Sequence, residues 1–207
     1  MIRSGLIPGV VFGTQADGDG RSEPDVRRRW STDLGISADW ATVSQVHGGH
    51  VEVATGPGPL GNADGIVTEQ IGLPLAIATA DCVPIAIAGA GSIGVVHAGW
   101  RGLAAGVIGS ARQAMRDLGD TPFAATIGPH IGVCCYEVGD EVIESLGGFA
   151  GSTTAETQAA DLGAAASAQL DGLEVETIDM CTKDDLTFAS HRRDGSPLRQ
   201  VMVAWRT

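Results

Sequence analysis

Short apolar runs separated by polar or glycine-rich breaks recur along this chain, and they are densest near its centre. Apolar runs of this length, bounded by turn residues, are typical of buried strands. The central runs predict strands at 64–68, 73–79, 83–88 and 92–96. Similar runs predict strands at 9–14, 41–46, 50–54, 123–127, 173–178 and 200–205, whereas 56–61, rich in glycine and proline, is predicted to be an irregular loop.

Helical periodicity is found in fewer segments. Apolar residues at 103, 107, 108, 111 and 115 predict a helix over 101–118, and two further helices are predicted over 138–146 and 157–170. Ser22 is the expected N-cap of another helix, which has Pro24 in its first turn and ends near Leu34, before Gly35. Strands and helices mix without strict alternation. The pattern therefore favours an α+β or layered α/β fold, a single domain over 1–207 with mixed sheets flanked by helices.

Composition narrows the classes of function. Hydrophobic residues make up 43% of the 207 positions, enough for a sizeable core. A net charge of -12 argues against a nucleic-acid partner, which requires a basic face. Arginines nevertheless cluster at 27–29 and again at 192, 193, 199 and 206, and the second group suits a small anion.

Cellular location is inferred from apolar length and cysteine content. No apolar run reaches the ~18 residues that span a bilayer, and residues 1–11 lack the apolar core of a signal peptide. We expect a cytoplasmic protein with no membrane contact, whose four cysteines are free thiols, ligands or nucleophiles. The sequence leaves the oligomeric state open.

Reactive side chains follow the apolar runs of the centre. Asp81 and Cys82 come after one predicted strand, and His97 ends another, just before Arg101. With His47, at a third strand end, the chain offers two imidazoles and one thiol. That is the number of protein ligands in a catalytic zinc site, whose fourth position stays open for water or substrate. We therefore predict a metal site of His47, Cys82 and His97 that takes Zn²⁺ and also suits Cu²⁺.

Three other interpretations of the same residues stay open. Cys82 as nucleophile, with His47 or His97 as base, would give a metal-free hydrolase or amidase acting on cell-wall precursors. A copper-dependent polyphenol oxidase is disfavoured because five histidines are few for a multicopper centre. A binding protein without turnover would hold a structural zinc closed by His50 or His130 as a fourth ligand.

Six motifs in order resemble one known family. They are SQVHG (44–48), ADGIVT (63–68), TADCVPI (79–85), HAGWRG (97–102), IGPHIGVCCYEV (127–138) and SHRRDG (190–195). Over residues 12–205 the chain resembles the YfiH-like, or laccase-domain, family. Its members are called purine nucleoside phosphorylases, formerly polyphenol oxidases, and some are linked to peptidoglycan editing.

The resemblance implies a layered α/β/β/α domain with zinc on His47, Cys82 and His97. It implies phosphorolysis of adenosine, inosine and methylthioadenosine, with accompanying adenosine deaminase activity. Nucleoside and phosphate would then be the partners. Within this framework the catalytic residues are the three metal ligands and Asp81, with Glu137 as an alternative proton shuttle. The residues expected to bind substrate are Gln45, Arg101, Arg192 and Arg193, with Arg101 at a helix start suited to phosphate.

Three positions depart from the family pattern. Gln15 stands where relatives usually carry Arg, which puts phosphate binding in doubt if that Arg is a phosphate ligand. Lys183 and His191 replace aromatic residues. Both replacements are expected to alter the substrate pocket.

Overall fold

The computed structural model describes residues 1–195 and 197–207. Two six-stranded mixed sheets dominate it, with strand orders β1-β2-β14-β7-β3-β5 and β13-β10-β8-β9-β6-β4, beside the small hairpin β11-β12. The strands are β1 (Ile2–Arg3), β2 (Val10–Phe12), β3 (Ala41–Ser44), β4 (Val51–Val53), β5 (Gly58–Asn62), β6 (Gly65–Thr68), β7 (Leu75–Thr79), β8 (Val83–Gly89), β9 (Ile93–Ala98), β10 (Pro122–Ile127), β11 (Ala150–Ser152), β12 (Gln158–Ala160), β13 (Glu174–Thr177) and β14 (Gln200–Ala204). The helices are α1 (Pro24–Leu34), α2 (Trp100–Ala104), α3 (Val107–Asp117), α4 (Asp140–Ser145), α5 (Leu162–Gln169) and α6 (His191–Asp194).

Side-chain alternation along the strands builds four layers. In β14, Met202 joins the core between the sheets, while Val201 and Val203 pack with Trp30 of α1. In β9 the alternation continues, since Val95 faces the other sheet and Val96 faces the cluster formed with α2 to α5. Strands buried on both faces appear as continuous apolar runs, which explains the dense centre of the sequence. The α/β/β/α layering expected from the resemblance is confirmed.

The helix predicted over 101–118 is two helices. Gly106, between α2 and α3, has φ of 76°, in the left-handed region where glycine carries no steric penalty. Leu103 and Met115 nevertheless pack in the same buried cluster, so the apolar spacing hides the break. Because α2 has only five residues, any helix-dipole contribution at Arg101 is small, and the expected helix-terminus anion site is not supported.

Other element predictions need smaller corrections. The predicted loop 56–61 overlaps β5, an edge strand paired in parallel with β3, whose sequence GPLGN has one large apolar side chain, Leu60. Of the helix predicted over 157–170, residues 158–160 form β12, and Asp161 caps α5 by accepting a hydrogen bond from the Ala164 amide. Glu23, rather than Ser22, occupies the N-cap position of α1. The short elements β1, β11 and α6 had no predicted counterpart.

One edge of the second sheet collects the polar loops. β8 is antiparallel to β9, with Val83 opposite Ala98, so β8 begins where β9 ends. β6 also begins at this edge and β10 ends there, because each is antiparallel to its neighbour. β4, parallel to β6, begins at the same edge. Residues just before β4, β6 and β8 therefore lie near residues at the end of β9 and after β10.

The first sheet delivers its loops to the same place. β7 ends at Thr79, and three residues connect it to the start of β8 in the other sheet. β14 is antiparallel to β7, with Gln200 opposite Thr79, so the segment before β14 also arrives here. β3, parallel to β7, ends on the same side. Of the helices in the described part of the chain, none is long and apolar enough to cross a bilayer.

Glu176 of β13 ties the N-terminal segment to the second sheet. Its carboxylate accepts hydrogen bonds from the Gly5 amide at 2.8 Å, the Ser4 hydroxyl and the Thr126 hydroxyl at 3.1 Å. Burial alone would raise the pKa of Glu176, but these donors hold it below its ordinary value of 4.5. The carboxylate therefore contributes to stability in its ionised form.

Glu176→Gln should lower the free energy of unfolding by about 1 kcal/mol near neutral pH, a value reduced for the partial exposure of the site. Because the folded-state pKa is depressed, this contribution is present above the unfolded pKa and is lost as pH falls through the folded pKa. The difference in free energy of unfolding between wild type and Glu176→Gln should thus become smaller below pH 4.5. Urea unfolding at neutral and acid pH measures this difference. An equal difference at both pH values would contradict the stabilising role of the ionised Glu176 carboxylate.

Candidate metal centre and cavity

His47, Cys82 and His97 meet at the shared edge of the two sheets. His47 lies in the loop between β3 and β4, Cys82 lies just before β8, and His97 is the penultimate residue of β9. Their ligand atoms all lie within 4.8 Å of one another. The two imidazole rings have centroids 4.7 Å apart and planes at 77°. The structure thus brings together the three residues predicted as metal ligands.

Asp64 orients this group from beneath. Its side chain is fully buried, and it accepts a hydrogen bond from Nδ1 of His97 at 2.8 Å. The same carboxylate accepts the backbone amides of His47 at 2.9 Å and Gly48 at 2.6 Å. A carboxylate can only accept here, so Nδ1 of His97 carries a proton and Nε2 is the nitrogen left to face a ligand.

Sequence reasoning missed the role of Asp64, although its motif was recognised. The available signal was a lone carboxylate directly before the apolar run 65–68. A buried carboxylate needs several donors, and those donors come from a loop far away in sequence.

Backbone strain is concentrated at this centre. His47 has φ of 60° and Asp81 has φ of 87°, although neither is glycine. Such residues cost of order 1–3 kcal/mol each, and the surrounding contacts must hold them in place. For Asp81, those contacts are the Thr182 hydroxyl and the Arg192 amide, each donating to its carboxylate at 2.7 Å. Gly99 is also required, since a Cβ there would lie 2.9 Å from Sγ of Cys82.

Cys82 and His97 shift each other's pKa. Burial alone would raise the pKa of Cys82, but hydrogen bonds and charge from His47 and His97 lower it to about 6. Burial alone would lower the pKa of His97, yet Asp64 and Cys82 raise it to about 9. At neutral pH the metal-free site therefore pairs a Cys82 thiolate, the form that binds metal, with a protonated His97, which must release its Nε2 proton when a metal binds. One thiolate and two imidazoles form a donor set that a transition metal accepts.

A cavity of about 430 Å³ opens beside the three ligands. Four arginines line it, which concentrates positive charge in a chain of net charge -12. They are Arg21, Arg101, Arg192 and Arg199. The apolar part of the wall comes from Trp100, Ile131, Tyr136 and Leu162. Such a cavity suits an anionic ligand with an apolar ring system.

Two of these guanidiniums stack on aromatic rings. The Arg101 guanidinium lies 4.3 Å from the Trp100 ring centroid, and the Arg192 guanidinium lies 4.9 Å from that of Tyr136. Arg192 also donates to the Glu137 carbonyl at 2.6 Å. Among the described residues, the Arg101 guanidinium has no hydrogen-bond or ion-pair partner. Its donors remain available to an anion.

The remaining sequence-predicted residues are placed differently. Gln45 lines the cavity, but its amide is bonded to the backbone of Ala78, and its Oε1 accepts a 3.3 Å hydrogen bond from Arg21. Arg193 lies outside the cavity lining and donates to the carbonyls of Thr182 at 3.0 Å and Phe188 at 2.8 Å. The side chain of Glu137 is likewise outside it and accepts from the Thr157 hydroxyl.

The three departures from the family pattern also separate in space. Neither Gln15 nor Lys183 lines the cavity, whereas His191 does. Arg21, which sequence reasoning had not selected, supplies a guanidinium from the turn before α1.

Comparison with known proteins assigns the family. Residues 13–207 match the family described as multi-copper polyphenol oxidoreductase laccase. The chain belongs to this family. A purine nucleoside phosphorylase of Mycobacterium tuberculosis is 38% identical over 193 residues, covering 86% of this chain and 77% of that protein. One of Streptomyces coelicolor is 36% identical over 177 residues, covering 79% and 73%. The crystal structure of YlmD from Geobacillus stearothermophilus has a TM-score of 0.85 at 27% identity, covering 99% of this chain and 94% of that one.

Membership of the laccase-like family confirms the resemblance drawn from the six motifs. The likeness to YlmD extends over nearly the whole chain, so the two mixed sheets and their flanking helices form the family fold. The family description speaks of copper and oxidation, whereas the relatives are named for phosphorolysis. The family description and the names of the relatives therefore point to different chemistry.

Proposed function

We propose that this chain is a zinc-dependent purine nucleoside phosphorylase acting on adenosine, inosine and methylthioadenosine, with accompanying adenosine deaminase activity. The observation that carries the proposal is the opening of a three-donor metal site into a cavity lined by four arginines. The names of the relatives in Mycobacterium and Streptomyces support the same reaction.

Phosphorolysis requires an anion held beneath the ribose and a base that leaves with a proton. A phosphate oxygen forms a bond to C1′, the bond from C1′ to the base nitrogen breaks, and the base takes up a proton. Arg101 suits the phosphate because its guanidinium is stacked on Trp100 and retains its donors. Arg21 adds a second guanidinium, held by Gln45 at 3.3 Å. In this proposal Gln45 acts on substrate through Arg21.

Asp81 holds the cavity wall in place. Its carboxylate binds the Arg192 amide at 2.7 Å and so anchors the start of α6 beside the metal ligands. Among the described residues that line the cavity, Asp81 is the only carboxylate. For deamination, which needs a proton shuttle near C6 of adenine, we assign that transfer to Asp81. His191 lines the same cavity and offers an imidazole as a second group for proton transfer.

The donor set fits the metal in this proposal. His47, Cys82 and His97 would hold it, and Asp64 would keep His97 in the required tautomer. When bound, zinc supplies a Lewis acid with an open coordination position at the cavity. His50 and His130 do not belong to the group, because His50 pairs with Glu52 at 3.1 Å and His130 with the Gly128 carbonyl at 2.8 Å. The three-donor set therefore supports a catalytic site over a closed structural one.

The decisive experiment incubates zinc-loaded protein with adenosine, inosine and methylthioadenosine, with and without phosphate. Release of free base only with phosphate is the expected result, together with inosine formation from adenosine in either condition. Base release that ignores phosphate would indicate hydrolysis and contradict phosphorolysis. The same protein loaded with Cu²⁺ and supplied with a phenol and oxygen tests the oxidase alternative, for which we expect no turnover.

Arg101→Ala should raise KM for phosphate about 10- to 100-fold, because it removes charge-assisted hydrogen bonds worth roughly 1.5–3 kcal/mol. KM for the nucleoside should change much less. Arg28→Ala is the matched control, since Arg28 is exposed on α1 and pairs with Asp25. Initial rates at varied phosphate measure the effect. An unchanged phosphate KM in Arg101→Ala would remove Arg101 from the anion site.

A further inference from the structure

Three cysteines form a second group, apart from His47, Cys82 and His97. Cys134 and Cys135 are in the loop after β10, and Cys181 follows β13. β10 and β13 are parallel neighbours, so the loops that leave them meet at the same edge of the sheet. A bridge between His130 and Cys181 holds these loops together. The topology therefore brings Cys181 beside a pair of cysteines some 46 residues earlier in the chain.

The three sulfur atoms form a compact triangle. All lie within 4.8 Å of one another, and Sγ of Cys134 is 3.5 Å from Sγ of Cys135. Metal–sulfur bonds of about 2.3 Å place sulfur atoms on one ion a little under 4 Å apart. The triangle therefore needs only small side-chain adjustments to surround a single ion.

The surroundings favour sulfur in its anionic form at one corner. The Gly132 amide donates to Sγ of Cys181 at 3.3 Å. Burial alone would raise the pKa of Cys181, but this amide and those of Asp184 and Lys183 lower it. Burial and the two neighbouring thiols raise the pKa of Cys134 to about 12. A cation held among the three sulfur atoms would offset the charge of neighbouring thiolates.

The cluster has space and access. A Cβ on Gly132 would lie 3.2 Å from Sγ of Cys134 and 3.6 Å from Sγ of Cys181, so glycine keeps the triangle open. Cys134 lies in the walls of two cavities, one of about 220 Å³ and one of about 460 Å³. Cys134 is therefore accessible from both cavities.

We propose that Cys134, Cys135 and Cys181 form a second metal site, which takes a thiophilic monovalent cation, Cu(I), in three-coordinate sulfur geometry. In the described part of the chain, no histidine or carboxylate joins the group. An all-sulfur set selects soft ions, and a structural zinc site would need a fourth ligand. Binding transfers no electrons: the thiols release their protons to solvent and the copper enters and remains as Cu(I). A disulfide between the adjacent residues 134 and 135 is strained, and Cys134, Cys135 and Cys181 are all free thiols in the structure.

The test separates this site from the first by removing Cys82. Cu(I) kept reduced with ascorbate under anaerobic conditions is titrated into Cys82→Ser protein against a Cu(I) chelator. We expect about one equivalent to bind, with thiolate-to-metal charge-transfer absorption in the near ultraviolet. Adding Cys181→Ser should weaken binding at least ~100-fold and remove that absorption. Neither measurement uses nucleoside turnover, so the result is independent of the proposed function.

Two results of the Cu(I) titration would overturn the proposal. One is a Cys82→Ser protein that binds no Cu(I), and the other is equal Cu(I) binding with and without Cys181. Zn²⁺ titrated in the same way should bind more weakly than Cu(I), and tighter Zn²⁺ binding would also contradict it. Circular dichroism and thermal unfolding establish that each variant is folded. If Cys181→Ser fails to fold, Cys134→Ser, at a partly exposed position, replaces it in the same comparison.

Discussion

Cys82→Ser protein should retain no stoichiometric zinc, and its kcat/KM for nucleoside phosphorolysis should fall by about 10³-fold. A hydroxyl is a poor zinc ligand at neutral pH, whereas the Cys82 thiolate forms readily because its pKa is lowered to about 6. Loss of the ion removes several kcal/mol of electrostatic stabilisation, and each ~1.4 kcal/mol corresponds to a tenfold rate change. Metal analysis of purified protein and initial rates measure the two effects.

Histidine variants provide the matched control. His47→Ala should reproduce the loss of zinc. His50→Ala should retain zinc, because the His50 side chain is exposed and pairs with Glu52.

Removal of zinc with a chelator decides between the metal enzyme and the metal-free hydrolase in which Cys82 is the nucleophile. Activity that survives complete removal of zinc, and yet is lost in Cys82→Ser, would refute the metal-dependent proposal.

Asp64→Asn should weaken zinc binding about 10- to 100-fold and lower the free energy of unfolding by about 3 kcal/mol. The fully buried carboxylate accepts from His97 and from the amides of His47 and Gly48. An asparagine keeps one acceptor oxygen and turns an NH₂ group toward these donors, leaving buried donors unpaired. It also loses the charge that keeps the proton on Nδ1 of His97.

Competition with a zinc chelator and urea unfolding of the metal-free protein measure the two consequences of Asp64→Asn separately. Asp33→Asn on α1 serves as the control, since that residue is exposed and should change stability by less than about 0.5 kcal/mol. If Asp64→Asn bound zinc as tightly as wild type, the orienting role of Asp64 would be wrong. An unchanged free energy of unfolding would show that the buried hydrogen bonds are replaced elsewhere.

The residues of the candidate metal site were predictable because residue type carries their chemistry. Two imidazoles and a thiolate are side chains that zinc prefers as ligands, and the strand ends that carry them meet at one edge of the sheets. The arginines that line the cavity were predicted less well. Arg101 and Arg192 line the cavity as predicted, whereas Arg193 donates to backbone carbonyls. Arg21 also lines the cavity but was not predicted to do so. An arginine has the same character in every sequence context, so only its partners distinguish a structural role from a binding role.

Local pattern also failed where two elements share one apolar face. The break at Gly106 leaves the periodicity of 101–118 intact because α2 and α3 pack on the same cluster. β5 was not predicted because Leu60 is the one large apolar side chain in its sequence, GPLGN, which is otherwise typical of a turn. Asp161 is a residue type common at N-caps, yet the alanine-rich sequence on both sides of it predicted one continuous helix over 157–170.

The amino-acid sequence by itself determined the class of fold, through apolar runs buried on both faces, and the ligand chemistry, through the side chains of His47, Cys82 and His97. Tertiary structure alone decided which carboxylate holds His97, which arginines face the cavity and how Cys181 joins Cys134 and Cys135. Those decisions depend on which strands are neighbours and in which direction each one runs. Strand pairing is set by the packing of the whole chain, so residues far apart in sequence acquire a common function only when the sheets form.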